Sequence, residues 1–372
     1  MQNDTDRKTL TIVGGGIAGC AAALRACQYN IPCYWIRGSK SDWKRSRAKW
    51  VYNIDNMIGI HPNIVLNKLK SAFKNNEEVL DALNGVNHLP ISTMDIIENV
   101  MERIEAYGDF IEIIDDSVEE INDLGTMFKI KTAQNCYITP YVICSTGLMD
   151  VQPHIYKQLS KKIDVATKWI YPYANNETVL YCLRCEGHLT NHKQCVLLGN
   201  TEVTAQVALM MTERYGSISA IITNGEQTTF TDDTTKLIDH YGIKVHNSKI
   251  LDVKGKMGKL EKFILEDDLE VQTDFALVSM GTYQVYHQYI DRNLINFVGK
   301  GDHNKLRVEI DKSGETKTTN LFCIGDMALR PDESVMMQIY TAQEYAVRAV
   351  DTIDRRRRKI LRERILKTIG HT

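Results

Sequence analysis

The sequence predicts an α/β chain built from two Rossmann-like, three-layer domains, and three observations carry that prediction. The short β-rich run Thr9–Val13 leads into Gly14-Gly15-Gly16-Ile17-Ala18-Gly19 and then into an alanine-rich helical stretch, Cys20 to Tyr29. A second run, Gln194–Leu198, leads into Gly199-Asn200-Thr201-Glu202-Val203-Thr204 and a helical run, Ala205 to Met211. Two further apolar segments reach a glycine, Tyr141–Gly147 and Phe275–Thr282, and look like paired crossing points between two domains.

Composition frames these elements. At 372 residues the chain is long enough for two well-buried domains. A 43% hydrophobic and 25% charged composition is ordinary for a globular protein. The net charge of -2 provides no global field for nucleic acid. No run of 18 apolar residues is present, so no membrane span is expected. The polar segment Met1 to Lys8 runs straight into a strand, so no secretory signal is expected either, and a cytoplasmic location follows. Nine scattered cysteines, an odd count, read as reduced thiols, with any disulfide catalytic rather than structural.

The first turn is a strand–G-x-G-x-x-G–helix unit closed by a second apolar run, Cys33–Ile36. In that context the glycines have separate duties. Gly14 permits the tight turn, Gly16 lets backbone approach a pyrophosphate, and Gly19 lets the helix pack on the strand. The helix start offers unpaired N–H groups and a positive dipole to the phosphates. The motif alone does not separate FAD from NAD. Arg37-Gly38 stands where a ribose-binding carboxylate usually ends the second strand. Near the other end of the chain, Leu321-Phe322-Cys323-Ile324-Gly325-Asp326 is a strand ending in Gly-Asp. A helix is expected from about Ser334, with Met336-Met337-Gln338 in its first turn. Paired with the N-terminal glycines, Gly325 and Asp326 become a flavoprotein signal.

Between these ends lies Cys182-Leu183-Arg184-Cys185-Glu186-Gly187. A C-x-x-C pair beside a βαβ pattern in a cytosolic chain points to a redox dithiol. In such a pair one thiolate is attacked and the other resolves the mixed disulfide. Half a zinc site and two ordinary buried cysteines are the alternatives. With only His188 and His192 close downstream, zinc would need unusual spacing. Glu186 is positioned to move the required proton, or else is a solvated turn residue. The second dinucleotide-type turn keeps only its first glycine. Thr201 stands where a pyrophosphate needs bare backbone, and Thr204 where close packing wants Gly or Ala. The next strand ends in Gly225-Glu226-Gln227, with no arginine to clamp a 2′-phosphate.

Taken in order, Gly14-Gly15-Gly16-Ile17-Ala18-Gly19, Ser145-Thr146-Gly147, the Cys182–Gly187 segment, Ser279-Met280-Gly281 and Gly325-Asp326 resemble the low-molecular-weight thioredoxin reductases over most of the chain. The resemblance implies an FAD domain at about 1–150 and 282–372, with a dithiol domain at about 151–281 inserted into it. It implies that Cys185 faces the flavin, that Cys182 exchanges with the protein substrate, and that Glu186 replaces the family's acidic proton donor. Gly147 belongs to a crossing point, Asp326 would hold the ribityl and pyrophosphate region, and Gln338 would sit near the isoalloxazine. A thioredoxin-like protein or small disulfide is the implied partner, and a homodimer the implied assembly.

The departures matter as much. The inserted domain lacks the family's G-x-G-x-x-A turn and its His-Arg-Arg phosphate clamp, which counts against NADPH. The family's Asn-x-Pro-Gly appears as Asn56-Met57-Ile58-Gly59, and extra chain occupies about 61–93. Such losses are similar to pyridine-nucleotide-independent branches that take electrons from ferredoxin or hold a second flavin or other nucleotide. A flavin-dependent dithiol oxidase using oxygen, and a non-catalytic FAD-binding redox sensor, fit the same pattern.

Two basic segments complete the reading. Arg37, Lys40, Lys44, Arg45, Arg47 and Lys49 interleave with Trp43 and Trp50, and Arg355–Lys359 opens a tail with Ile360, Leu361, Ile365, Leu366 and Ile369 near helical spacing. Either would attract an acidic partner such as ferredoxin; the alternative is a solvated loop and a terminal helix packed on its own protein or on a dimer mate. The methionines Met210, Met211, Met336 and Met337 read as core filler. Helices are expected within 73–105, with a turn at Asn84-Gly85, and antiparallel strands within 249–271.

Overall fold

The structure is a computed structural model that describes residues 8–54, 56–58, 62–84, 86, 90–156, 167–280, 283–334 and 337–369. Gly59, Gly85, Gly281, Thr282 and Met336 lie outside the described residues. The chain divides into two compact units, one formed by 1–53, 57–149 and 284–372, the other by 54–56 and 150–283.

The first unit is built on a five-stranded parallel sheet. Its spatial order is Leu321–Cys323, Tyr141–Cys144, Leu10–Val13, Cys33–Ile36, Ile111–Ile114. Leu10 pairs with Cys33 on one side and with Tyr141 on the other. These strands are near-continuous apolar runs because helices and an added sheet cover them. The helix Ile17–Gln28 buries Ala22, Ala23 and Ala26, and the helix Ile339–Ile369 buries Ala346, Ala349 and Val350 in the same cluster. Small residues on both helices let their backbones come close. Thr93–Glu105 adds Ile97, Val100 and Ile104, opened by a Ser92/Asp95 capping box. Val118–Asp123, Phe128–Thr132 and Cys136–Thr139 form an antiparallel meander. The strand order reverses between Leu10–Val13 and Tyr141–Cys144, so the carboxyl ends Val13 and Cys144 flank a topological switch point.

The second unit repeats the plan. Its parallel sheet runs Lys244–His246, Ile218–Ile222, Gln194–Leu198, Phe275–Val278, Val179–Leu180. The helix Glu202–Tyr215 packs Ala205, Ala208, Leu209 and Met211 into its core. Ile250–Lys256, Lys259–Leu265 and Glu270–Gln272 make the antiparallel sheet whose alternation is visible in the sequence.

Two sequence expectations shift. The helix expected from Ser334 begins at Ile339, because Met337 has a left-handed φ of 42° that cannot lie within a helical turn. The basic tail is no separate element but the second half of that 31-residue helix.

Candidate functional site

Two clusters collect the predicted site residues, one in each unit. In the first, the glycine turn is shaped by contacts that only glycine satisfies. Gly14 has φ +115°, and an added Cβ would stand 2.6 Å from the Ser145 carbonyl oxygen. At Gly19 a Cβ would stand 2.0 Å from the Gly14 carbonyl oxygen. At Gly16 it would meet nothing within 4 Å, so the side-chain-free space there faces no protein atom. Ser145 locks the switch point by donating from Oγ to the Val13 carbonyl at 2.7 Å. Gly147, at φ +68°, follows it and accepts a hydrogen bond from the Tyr286 amide.

The helix opened by this turn has Gly16 as its N-cap, with no side-chain cap and no acidic residue in its first turn. Its first N–H groups and its dipole are therefore left to an anion. Gly325, at φ +71°, brings the second half of the chain against it, with a would-be Cβ 2.8 Å from the Ala18 Cβ. Asp326 follows directly. Its carboxylate pairs with Arg47 at 3.2 Å, and its carbonyl accepts from the Arg307 Nε at 3.0 Å. A cavity beside this pair is lined by Arg307, Gly325, Asp326, Met337, Thr341 and Tyr345. Gln338 is buried just ahead of the helix, and the Thr341 hydroxyl donates to its carbonyl at 2.8 Å. The bare Gly16, the uncapped helix start and the two guanidiniums at Asp326 fit the diphosphate and ribityl chain of FAD.

Three roles escape sequence reasoning. Arg47, read only as part of the basic segment, and Arg307, in no motif, are carried to Asp326 by the fold. Gly15 matters because Trp43 packs on it, with a would-be Cβ 2.6 Å from the indole. Part of the basic segment at 37–49 is neutralised within the unit. Arg37 chelates Asp115 at 2.7 to 2.9 Å, and Arg45 pairs with Asp42 at 2.8 Å. Burial pushes the Asp42 carboxyl up, but hydrogen bonds from Ser117 and Ser39 and the Arg45 contact outweigh it and hold the group below its usual range.

The second cluster holds the dithiol. Cys182 and Cys185 form a disulfide with Cα atoms 5.3 Å apart, spanning the one-turn helix Leu183–Glu186. The Cys182 sulfur also accepts from the Cys185 amide at 3.2 Å. Glu186 turns back to the start of the helix, where its carboxylate accepts from the Tyr181 and Cys182 amides at 2.9 and 3.0 Å. Gly187 is fixed by Tyr215, whose ring would lie 2.7 Å from any Cβ. Both cysteines are half-buried. Of the seven free cysteines, six are buried. Burial pushes the Cys20 thiol up to about 12 and raises Cys195 and Cys323 well above the ordinary thiol value, which disfavours their thiolates.

The second dinucleotide-type turn is closed by its own side chains. Thr201 caps the helix Glu202–Tyr215 in a reciprocal box with Thr204. The buried Thr204 hydroxyl donates to the Ser279 carbonyl at 2.5 Å, which is how a threonine is accommodated where Gly or Ala is usual. Gly199 has no room for a side chain, with Ser279 O 2.3 Å and Thr204 Oγ1 2.5 Å from a would-be Cβ. Glu202 places a carboxylate in the first turn, held by the Thr231 amide and the Thr234 hydroxyl.

No protein-family model matches the sequence, and no curated protein matches it. Solved structures do. The chain superposes on thioredoxin reductase from Streptococcus pyogenes MGAS5005 with a TM-score of 0.70 and 16% identity, covering 94% of this chain and 98% of that one. The fold is that of a thioredoxin reductase. The thioredoxin reductase of Giardia duodenalis gives a TM-score of 0.67 at 15% identity, over 93% and 97% of the two chains. An oxidoreductase from Agrobacterium tumefaciens gives 0.66 at 15% identity, over 94% and 98%. Within this thioredoxin reductase fold, the glycine turn and the cysteine pair occupy separate units, and among the described residues no helix is long and apolar enough to cross a membrane.

Proposed function

We propose that the chain is an FAD-dependent disulfide oxidoreductase in which electrons pass from flavin through Cys182 and Cys185 to a thioredoxin-like protein or another disulfide, with NADPH not the donor. The observation that carries this reading is the half-buried Cys182–Cys185 disulfide, set in a chain whose first glycine turn leaves its helix start open to a dinucleotide. Gly14, Gly16, Gly19, Gly147, Gly325, Asp326 and Gln338, with Arg47 and Arg307, are the residues that would hold FAD. Bound there and reduced by the external donor, the flavin would supply the electron pair that the disulfide takes up.

The residues then have definite work. Two electrons and two protons open the Cys182–Cys185 bond to two thiols. The Cys182 thiolate attacks the substrate disulfide, forming a mixed disulfide and releasing one substrate sulfur. Cys185 attacks Cys182, restoring the internal disulfide and freeing the reduced substrate. Glu186, one residue beyond Cys185, is assigned to moving the protons of these exchanges.

The donor reading rests on the contrast between two helix starts. The one at Gly16 is bare, whereas the one at Thr201 is already capped and carries Glu202 where a pyrophosphate would bring like charge. Ferredoxin is the donor class we favour, with a second flavin or other nucleotide in this unit as the variant. A homodimer in the cytoplasm completes the proposal.

The test is anaerobic. Flavin absorbance is followed as NADPH, NADH and reduced ferredoxin are added in turn, and disulfide turnover is measured for wild type, Cys182→Ser and Cys185→Ser. The proposal expects bleaching by ferredoxin only and loss of turnover in both variants, with flavin retained. Bleaching by NADPH at a catalytic rate restores a standard reductase. Turnover that survives both substitutions removes the dithiol from the mechanism, and peroxide release with a dithiol substrate replaces the reading with an oxidase.

A further inference from the structure

The helix Ile339–Ile369 changes character half-way. Its first turns bury Ala342, Ala346, Ala349, Val350 and Ile353 in the core of the first unit. From Arg358 to Ile369 every side chain is exposed. Ile360, Leu361, Ile365, Leu366 and Ile369 are 44 to 68% exposed, and Leu361, Ile365 and Ile369 recur every fourth residue, one above another along one stripe. A helical segment of this length is marginal in water unless its apolar stripe is covered.

Charge decides what covers it. Between 355 and 369 the basic residues are Arg355, Arg356, Arg357, Arg358, Lys359, Arg362, Arg364 and Lys367, against Glu363 as the single acid. Arg356 pairs with Glu315 and Arg358 with Asp354, yet the segment keeps a large positive excess. A second copy of the helix would bring the same excess against itself. Nucleic acid would satisfy the guanidiniums but leave the isoleucines and leucines in water. An anionic lipid surface accepts both: the stripe enters the headgroup boundary, and long basic side chains flanking it extend to the phosphates.

We propose that residues 358–369 are an interfacial anchor that lays this protein on an anionic membrane. The test uses the full-length flavoprotein in co-sedimentation with phosphatidylcholine vesicles, with and without phosphatidylserine, at low and high salt. The expected result is at least roughly tenfold tighter association with the serine-containing vesicles, loosened by salt. The double variant Leu361→Glu/Ile365→Glu should lose that association while keeping its flavin absorbance and disulfide turnover, because both side chains lie outside the core. No pelleting with anionic vesicles, or pelleting that the double variant leaves unchanged, would overturn the proposal. So would a concentration-dependent dimer, or capture of an acidic soluble protein, that the variant abolishes in the absence of lipid binding.

Discussion

At Gly19 an added methyl group would be driven into the Gly14 carbonyl, whereas at Gly16 it would enter open space. The two positions therefore respond differently to the same change. Gly19→Ala should destabilise the first unit by about 1–3 kcal/mol, as overpacking does, and lower its melting temperature. Gly16→Ala should leave the flavin-free protein within about 0.5 kcal/mol of wild type, since its backbone is extended and unobstructed. It should nevertheless purify with less flavin, because the methyl group fills the approach of the diphosphate. Arg47→Ala should lose flavin like Gly16→Ala but also lower the melting temperature of the apoprotein, because it strips a largely buried ion-pair partner from Asp326. Thermal melts of apoprotein alongside flavin-to-protein absorbance ratios separate these outcomes. His287 provides a pH signature. Burial lowers its pKa below the ordinary 6.5, against hydrogen bonds to the His303 and Leu306 backbone. The folded state then holds this imidazole neutral while the unfolded chain protonates it. Stability should be fully present above about pH 6.5 and be lost as the pH falls toward the folded value. His154 and His246 shift the same way through burial and add to the slope. Melts between about pH 7.5 and about pH 5.5 should show a falling midpoint, and His287→Gln should flatten part of that fall.

At the scale of elements, the two strand–turn–helix units use the same backbone plan with opposite chemistry at the helix start. Thr201→Ala should cost about 1 kcal/mol in urea unfolding, because the Thr201/Thr204 box satisfies amides that a phosphate would otherwise take. The sequence makes the loss of glycines in the second turn plain. It does not reveal that Thr204 would be retained by a hydrogen bond to Ser279, since that partner follows the end of a strand and lies 75 residues away. The C-terminal helix was legible as apolar spacing at 360–369, but its start was misplaced. Nothing in Ser334–Gln338 announces that Met337 adopts a left-handed turn before the helix begins.

For the whole molecule, the α/β class with parallel sheets was readable because apolar runs ending in glycine alternate with helical stretches, and the solved neighbours share that architecture. The glycines and the cysteine pair announced themselves by local spacing. Arg47 and Arg307 did not, because their meeting at Asp326 depends on long-range topology across 279 and 19 residues of chain. The proposed function joins the flavin site of one unit to the disulfide of the other, so its most direct test counts electrons irrespective of donor. Anaerobic titration with dithionite should consume two electron equivalents for the flavin and two more for the disulfide in wild type, and only the flavin's two in Cys182→Ser/Cys185→Ser. Equal uptake by both proteins would contradict the account, because the Cys182–Cys185 disulfide would then lie outside the electron path.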